Sequence, residues 1–390
     1  MAEITISHMD TTPLLLDEFE ATSRIKVQRR TMQWATAWSE LLVTALYGSG
    51  PDVSQIGSTW LGSLCSMNAL RPFTPAELHR LHAPAAFLPH LWRTTGIPGD
   101  KNVYAIPFTA DTRILLYRRD LLAKAGIDED TAFQTNEHLY ETLARLQASG
   151  VEVPWAVSTL DEVHHNIAPW VWQAGGDYHT PDGLKLSLAD ERTIEGIYQF
   201  YRLHRFIPPQ ARGLSITEAD ALFRSGNAAV VYTVPNTINT LHHYETKKSL
   251  IENVGAARVP GTPFVGGSHL VIWKHSMAEC EAMEAIHHLT SAQYQKLQQP
   301  QLGDLTVRCD LLAEEPYRSD PLYKVSAESL RAGRPIQSVP RWAVVETRLT
   351  ALLQKLWVTA FADPDLDLKE EIRQRVTDLA VRLEKTVLAA

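Results

Sequence analysis

Short apolar runs alternate with amphipathic stretches from the start of the chain. Ile4–Met9 (ITISHM), Ile25–Arg30 (IKVQRR) and Asp52–Gly57 (DVSQIG) have the length and apolar character of strands. Leu14–Ser23 and Gln33–Gly50 lie between them and read as helices, the second closed by Gly48-Ser49-Gly50-Pro51. This alternation predicts βαβ units and a mostly parallel sheet. Val103–Phe108 and Ile114–Arg119 predict two further strands on either side of a polar clasp, Thr109 to Arg113. Asn136–Ser149 predicts an amphipathic helix with Leu139, Leu143 and Leu146 on one face, capped by Asn136 and ended by Gly150.

Farther along, Ala189–Phe206 is helical by the spacing of Ile194, Ile197, Tyr198 and Tyr201. Ala228–Val234, Val254–Pro260 and His269–Lys274 are apolar enough for buried strands. After Glu279 the pattern is almost entirely helical. Two late helices carry apolar stripes, Leu349, Leu352 and Leu356 in one and Ile372, Val376, Leu379 and Leu383 in the other. No internal repeat or low-complexity segment interrupts the pattern.

Length and charge narrow the function. The chain has 390 residues, enough for two domains, and carries a net charge of -8. That balance argues against nucleic acid as a partner, because phosphate binding needs a basic surface. No apolar run approaches the roughly 18 residues of a membrane helix. The three cysteines, Cys65, Cys280 and Cys309, show no CxxC spacing and are expected as buried or half-buried thiols, with a Cys280–Cys309 disulfide as the alternative. The chain opens on a strand within three residues, with no leader ahead of it. The expectation is an extracytoplasmic protein if a leader was removed, and a cytoplasmic one otherwise.

Catalytic signatures are missing. There is no GxSxG, P-loop, HExxH or post-strand GxGxxG. The pairs His164-His165, His242-His243 and His287-His288 suggest metal, but adjacent residues point in different directions, so a pair alone chelates poorly. No catalytic residue, metal or cofactor is expected, and no spacing selects a carboxylate pair for glycoside hydrolysis.

Seven segments, in order, carry a resemblance. They are GSGPDVSQIGSTW (48–60), the Tyr104–Asp128 run YAIPFTADTRILLYRRDLLAKAGID, WVWQAGGDYHTPDG (170–183), ALFRSGNAAVVYTVPN (221–236), GGSHLVIWKHS (266–276), HHLTSAQYQKLQQPQLGDLTVRCDLL (287–312) and GRPIQSVPRWAVVE (333–346). Together these resemble the extracellular solute-binding proteins of ABC importers, in the sugar-binding family that includes the maltose-binding type. Thr306 stands where the family often has proline, and His269 where asparagine is frequent.

The resemblance implies an α/β, two-lobed clamshell of the type II periplasmic-binding-protein kind, with crossing hinge strands and a helical C-terminus. It implies an N-terminal lobe of 1–110 plus 258–306 and a C-terminal lobe of 111–257 plus 307–390. It further implies a monomer that binds a small carbohydrate between the lobes and presents its closed form to the permease subunits of an ABC transporter.

A sugar needs paired donors and acceptors for its hydroxyls and a flat aromatic surface for its C–H faces. The candidates are therefore His8 and Asp10 at the end of the first strand, and Asp111 and Arg113 in the clasp. Aromatic candidates are Trp34, Trp60, Trp170 and Trp172, each with core packing as its plain alternative. Tyr232 and Asn236 follow the GNAAVV strand, and Gly267 and Ser268 mark a tight backbone approach. Trp273 is expected in core or hinge, and Trp38, Trp342 and Trp357 in helix packing. Alternative ligands on the same scaffold are a polyol or a sugar or glycerol phosphate. The alternative role is a cytoplasmic ligand sensor.

Overall fold

The structure, a computed structural model, describes residues 2–385 except 162, 181, 184, 244–246 and 364. The chain forms two compact units. Unit 1 comprises Met1–Asp111, Val265–Arg318 and Pro335–Ala343; unit 2 comprises Thr112–Phe264, Ser319–Arg334 and Val344–Ala390.

Unit 1 is built on a five-stranded sheet in the order β2-β1-β3-β9-β4. The strands are β1 Ala2–Met9, β2 Ile25–Met32, β3 Val53–Gly57, β4 Ile106–Thr112 and β9 Val265–Ile272. β1 runs parallel to β2 along its whole length and parallel to β3 at Ile6–Val53. β9 is antiparallel to β3, with Gly57 opposite Ser268. The sheet is therefore mixed, with its parallel part where the first βαβ pattern predicted it. The helix Trp34–Tyr47 covers it and ends at Gly48, which adopts φ 59 and donates its N–H to the Thr44 carbonyl at 3.0 Å.

Unit 2 has a four-stranded sheet in the order β6-β7-β5-β8, with β5 Ile114–Arg118, β6 Trp155–Val157, β7 Val230–Thr233 and β8 Val254–Arg258. β5 pairs antiparallel with both β7 and β8, and only β6–β7 is parallel. An aromatic core fills this unit. Tyr201 lies 4.4 Å from Trp357 between ring centroids, and Phe200 lies 4.8 Å from Trp170. The Tyr201 hydroxyl donates to the Leu353 carbonyl, which satisfies its one buried polar group. The helices Trp342–Ala362 and Leu368–Leu383 bury Leu349, Leu356, Ile372 and Val376 of the predicted stripes, but Leu353 takes the core position expected of Leu352, which is half-buried. No helix among the described residues is long and apolar enough to cross a membrane.

Several expectations change. The residues Thr109 to Thr112, expected as a polar clasp between two strands, are the second half of β4. Their hydroxyls are satisfied sideways: Thr109 Oγ1 lies 2.6 Å from Ser268 Oγ, and Thr112 donates to the Phe264 carbonyl at 2.7 Å. Thr135, not Asn136, caps the helix Asn136–Ala148, accepting from the His138 N–H at 3.1 Å. Residues 307–318 and 335–343, expected with the C-terminal lobe, pack with unit 1. Val307 accepts from the Leu88 N–H at 2.8 Å, and Ser338 accepts from the Gly62 N–H at 2.6 Å. Cys280 and Cys309 are exposed rather than buried, and all three cysteines are free thiols.

Candidate functional site

Parallel strands send their carboxyl ends to one edge of a sheet, where loops and helix starts are free to carry binding groups. In unit 1 that edge gathers the end of β1, the β2–helix junction and the turn after β3. Trp60 closes the short 3-10 turn Ser58–Trp60 that follows β3. Trp34 begins the helix after β2 and donates its indole N–H to Thr11 Oγ1 at 2.9 Å. The rings of Trp34 and Trp60 lie 5.7 Å apart and those of Trp38 and Trp60 5.9 Å apart, both tilted. All three are half-buried against the core of Met9, Met32, Leu41, Ile56 and Leu61. Gly57 makes this possible, since a Cβ there would sit 3.1 Å from the Trp60 ring. Asp10 is exposed, and Asp111 is half-buried at the end of unit 1.

Other candidates on this edge are spent on structure. His8 is buried, with Nδ1 placed 3.0 Å and 3.1 Å from the carbonyls of Met9 and Thr12, so it holds the turn after β1. Ser268 is fully buried and bonds Gln55 and Thr109, while Gln55 in turn accepts from the Met9 N–H at 2.8 Å. A polar chain thus ties β1, β3, β9 and β4 together. Gly267 has φ 137, and a Cβ there would lie 2.0 Å from the Thr109 carbonyl oxygen. The expected tight approach is present, and it is made to the protein's own backbone. His269 is buried against Thr94 Oγ1 at 2.8 Å, and burial pushes its pKa down to about 4, so it is a neutral packing residue.

Sequence reasoning missed Asp304. Its carboxylate accepts from Gln298 Nε2 at 3.2 Å and is also bonded by Thr12. Burial is the main cause that raises its pKa to about 7; the Gln298 and Thr12 bonds pull it down, and the charge of Asp111 adds to the rise. Nothing local in the sequence marks it, because apart from Gln298 its partners, Thr12 and Asp111, come from distant segments.

Unit 2 separates its candidates sharply. Trp170 and Tyr232 belong to the core, their rings 5.4 Å apart at 71°. The Tyr232 hydroxyl donates to the Asn166 carbonyl at 3.0 Å. Arg113 is also buried, donating from Nε to Asn166 Oδ1 at 2.8 Å and lying 5.5 Å from the centre of the Phe264 ring. These three are packing residues rather than surface contacts.

Trp172 differs. It lies at the rim of the buried set, and its indole N–H donates to Asp177 Oδ1 at 3.2 Å. The Arg334 guanidinium covers its ring at 4.9 Å and forms a close ion pair with Asp177. Asp177 and Arg334 were not candidates, although both fall in segments that carried the resemblance. Asn236 is exposed at the first position of the helix Asn236–His243. The His243 side chain and Pro181 lie outside the described residues.

Two α/β units, each with its own sheet and helices drawn from discontinuous segments, define a periplasmic-binding-protein fold of type II. The chain resembles the sugar-binding protein MalE from Xanthomonas citri at 20% identity, covering 98% of each chain with a TM-score of 0.82. It is similar to the GacH receptor of Streptomyces glaucescens, solved unliganded and with acarbose, at 18% identity, 99% of each chain and a TM-score of 0.82. It is also similar to a solute-binding protein from Agrobacterium vitis with bound D-mannitol, at 18% identity, 99% of each chain and a TM-score of 0.78. The family profile of bacterial extracellular solute-binding proteins matches residues 15–325, and the chain belongs to that family. It is a binding protein and not an enzyme.

Proposed function

We propose that this protein is the carbohydrate-binding component of an ABC importer, taking a neutral mono- or oligosaccharide or a polyol. The observation that carries this reading is the half-buried indole group Trp34, Trp38 and Trp60 at the strand-end edge of unit 1, next to Asp10 and Thr11. Flat apolar surface beside carboxylate and hydroxyl groups is what a pyranose or extended polyol requires. The solute contacts in this reading are Asp10, Trp34, Trp60 and Asp111 from unit 1 and Trp172 and Asn236 from unit 2. Structural relatives with bound acarbose and mannitol support the class of ligand.

A sugar or glycerol phosphate fits less well. A phosphate needs several basic contacts; the one arginine among the candidates, Arg113, is buried on Asn166, and Arg334 is neutralised by Asp177. The protein works as a monomer outside the cytoplasm and delivers its solute to transporter permease subunits; membership of an extracellular family supports that location.

Titration calorimetry of Trp60→Ala and Trp172→Ala with the sugar that wild type binds tests the contacts. Each variant is expected to bind at least tenfold more weakly, about 1.4 kcal/mol, while keeping its fold. Unchanged affinity in both variants would remove the stacking assignment.

A further inference from the structure

Within unit 2 the helices Val163–Gln173 and Trp342–Ala362 meet at three metal-ligating side chains. His164, His165 and Glu346 each offer one donor atom, and these atoms lie within 4.8 Å of one another. His164 Nε2 is 3.2 Å from Glu346 Oε1. On the other side of the same ring, Nδ1 is 2.9 Å from Thr350 Oγ1, one helical turn beyond Glu346. The Tyr178 hydroxyl donates to the His164 carbonyl at 2.6 Å and steadies the start of the helix. The His165 ring stacks on Phe264, with centroids 4.4 Å apart and planes at 17°. The two imidazoles approach to 4.0 Å between centroids.

Adjacent histidines chelate poorly on their own because their side chains leave a helix in different directions. Here a third group, Glu346 from another helix, brings a carboxylate oxygen to 3.2 Å from His164 Nε2. Two imidazoles and a carboxylate are a zinc-type donor set. Metal–ligand bonds of about 2.0–2.1 Å place neighbouring tetrahedral donors roughly 3.3 Å apart, close to the separation of His164 and Glu346. The His165 donor lies within 4.8 Å of the other two, so a shift of its side chain completes the set. Thr350 supplies the outer bond that a ligating histidine uses to fix its tautomer, leaving Nε2 for the metal. His165 and Glu346 are half-buried, which leaves room for water to complete the shell.

We propose that His164, His165 and Glu346 form a three-ligand site for a divalent transition metal of the zinc class, joining the two helices of unit 2. The site is independent of the carbohydrate reading. The Phe264 ring on which His165 stacks also carries the Arg113 guanidinium, 5.5 Å from its centroid.

The test is titration of tag-free, chelator-stripped protein with zinc chloride by calorimetry, and with cobalt chloride by visible absorption. One saturable equivalent is expected, with a raised melting temperature and cobalt bands of nitrogen and oxygen ligation. Glu346→Gln and His165→Ala are expected to weaken binding at least tenfold with unchanged circular dichroism. The His165→Ala variant decides the matter if Glu346→Gln fails to fold. No saturable binding to folded wild type overturns the proposal and leaves a His164–Glu346 hydrogen bond. Equal binding in the variants also overturns it and moves zinc elsewhere, for example to the exposed Cys280.

Discussion

At the scale of single residues, the tryptophans divide by what surrounds them. Trp170 is enclosed by Phe200 and Tyr232, whereas Trp60 is only half-buried, beside Trp34 and Trp38. Trp170→Ala should therefore cost about 3–5 kcal/mol of stability by leaving a cavity. Chemical denaturation of both variants checks the contrast, with Trp60→Ala expected to lose far less. Asp304 makes a second prediction. Its acid is pushed up to about 7 in the fold, against about 4 in an unfolded chain. Between these values the folded state holds a proton that the unfolded state has released, so stability falls as pH rises through the window. Asp304→Asn removes that component of the slope. Denaturation near pH about 5 and about 8 measures it, and an identical pH dependence in the variant would contradict the assignment. The sequence could nominate aromatic and acidic residues but could not sort them. Trp34 and Trp170 both sit near apolar runs, and only long-range packing makes one half-exposed and the other core. Asp304 was invisible for the same reason, since Thr12 and Asp111 reach it from far along the chain.

At the scale of elements, the periodic signals were the legible ones. β1, β2 and β3 are short apolar runs bounded by polar residues, and the late helices show their stripes directly. β4 was displaced toward the N-terminus because Thr109, Asp111 and Thr112 read as a polar clasp between strands. Their strand conformation is secured by Ser268 and by the Phe264 carbonyl, which no local pattern announces. The cap of the helix Asn136–Ala148 was misread by one residue for a similar reason, since Thr135 and Asn136 are both good caps. Geometry selects Thr135. Thr135→Ala should cost about 1 kcal/mol and Asn136→Ala much less; thermal melts of the two variants would expose a reversed order. Gly267→Ala is the most disruptive small change foreseen in unit 1. Its Cβ would overlap the Thr109 carbonyl at a φ of 137, so β9 and β4 would have to separate. Loss of soluble, cooperatively melting protein is the expected result.

At the scale of the whole molecule, the sequence identified the family through ordered segments rather than through any one motif, and the profile match over residues 15–325 shows that family. The ligand is a separate matter, because structures at 18% identity share the fold while one was solved with acarbose and another with D-mannitol. Net charge of -8, the buried Arg113 and the paired Arg334 all favour an uncharged solute over a phosphorylated one. The most direct test is a thermal-shift screen of ligand-free protein against monosaccharides, disaccharides, oligosaccharides, polyols and sugar phosphates. A solute present at about 100 times its dissociation constant adds about 2.7 kcal/mol to stability, which appears as a clear rise in melting temperature. The account predicts such a rise with one class of neutral sugar or polyol and none with the phosphates. A rise with phosphates alone, or none across the panel in folded protein, would contradict it.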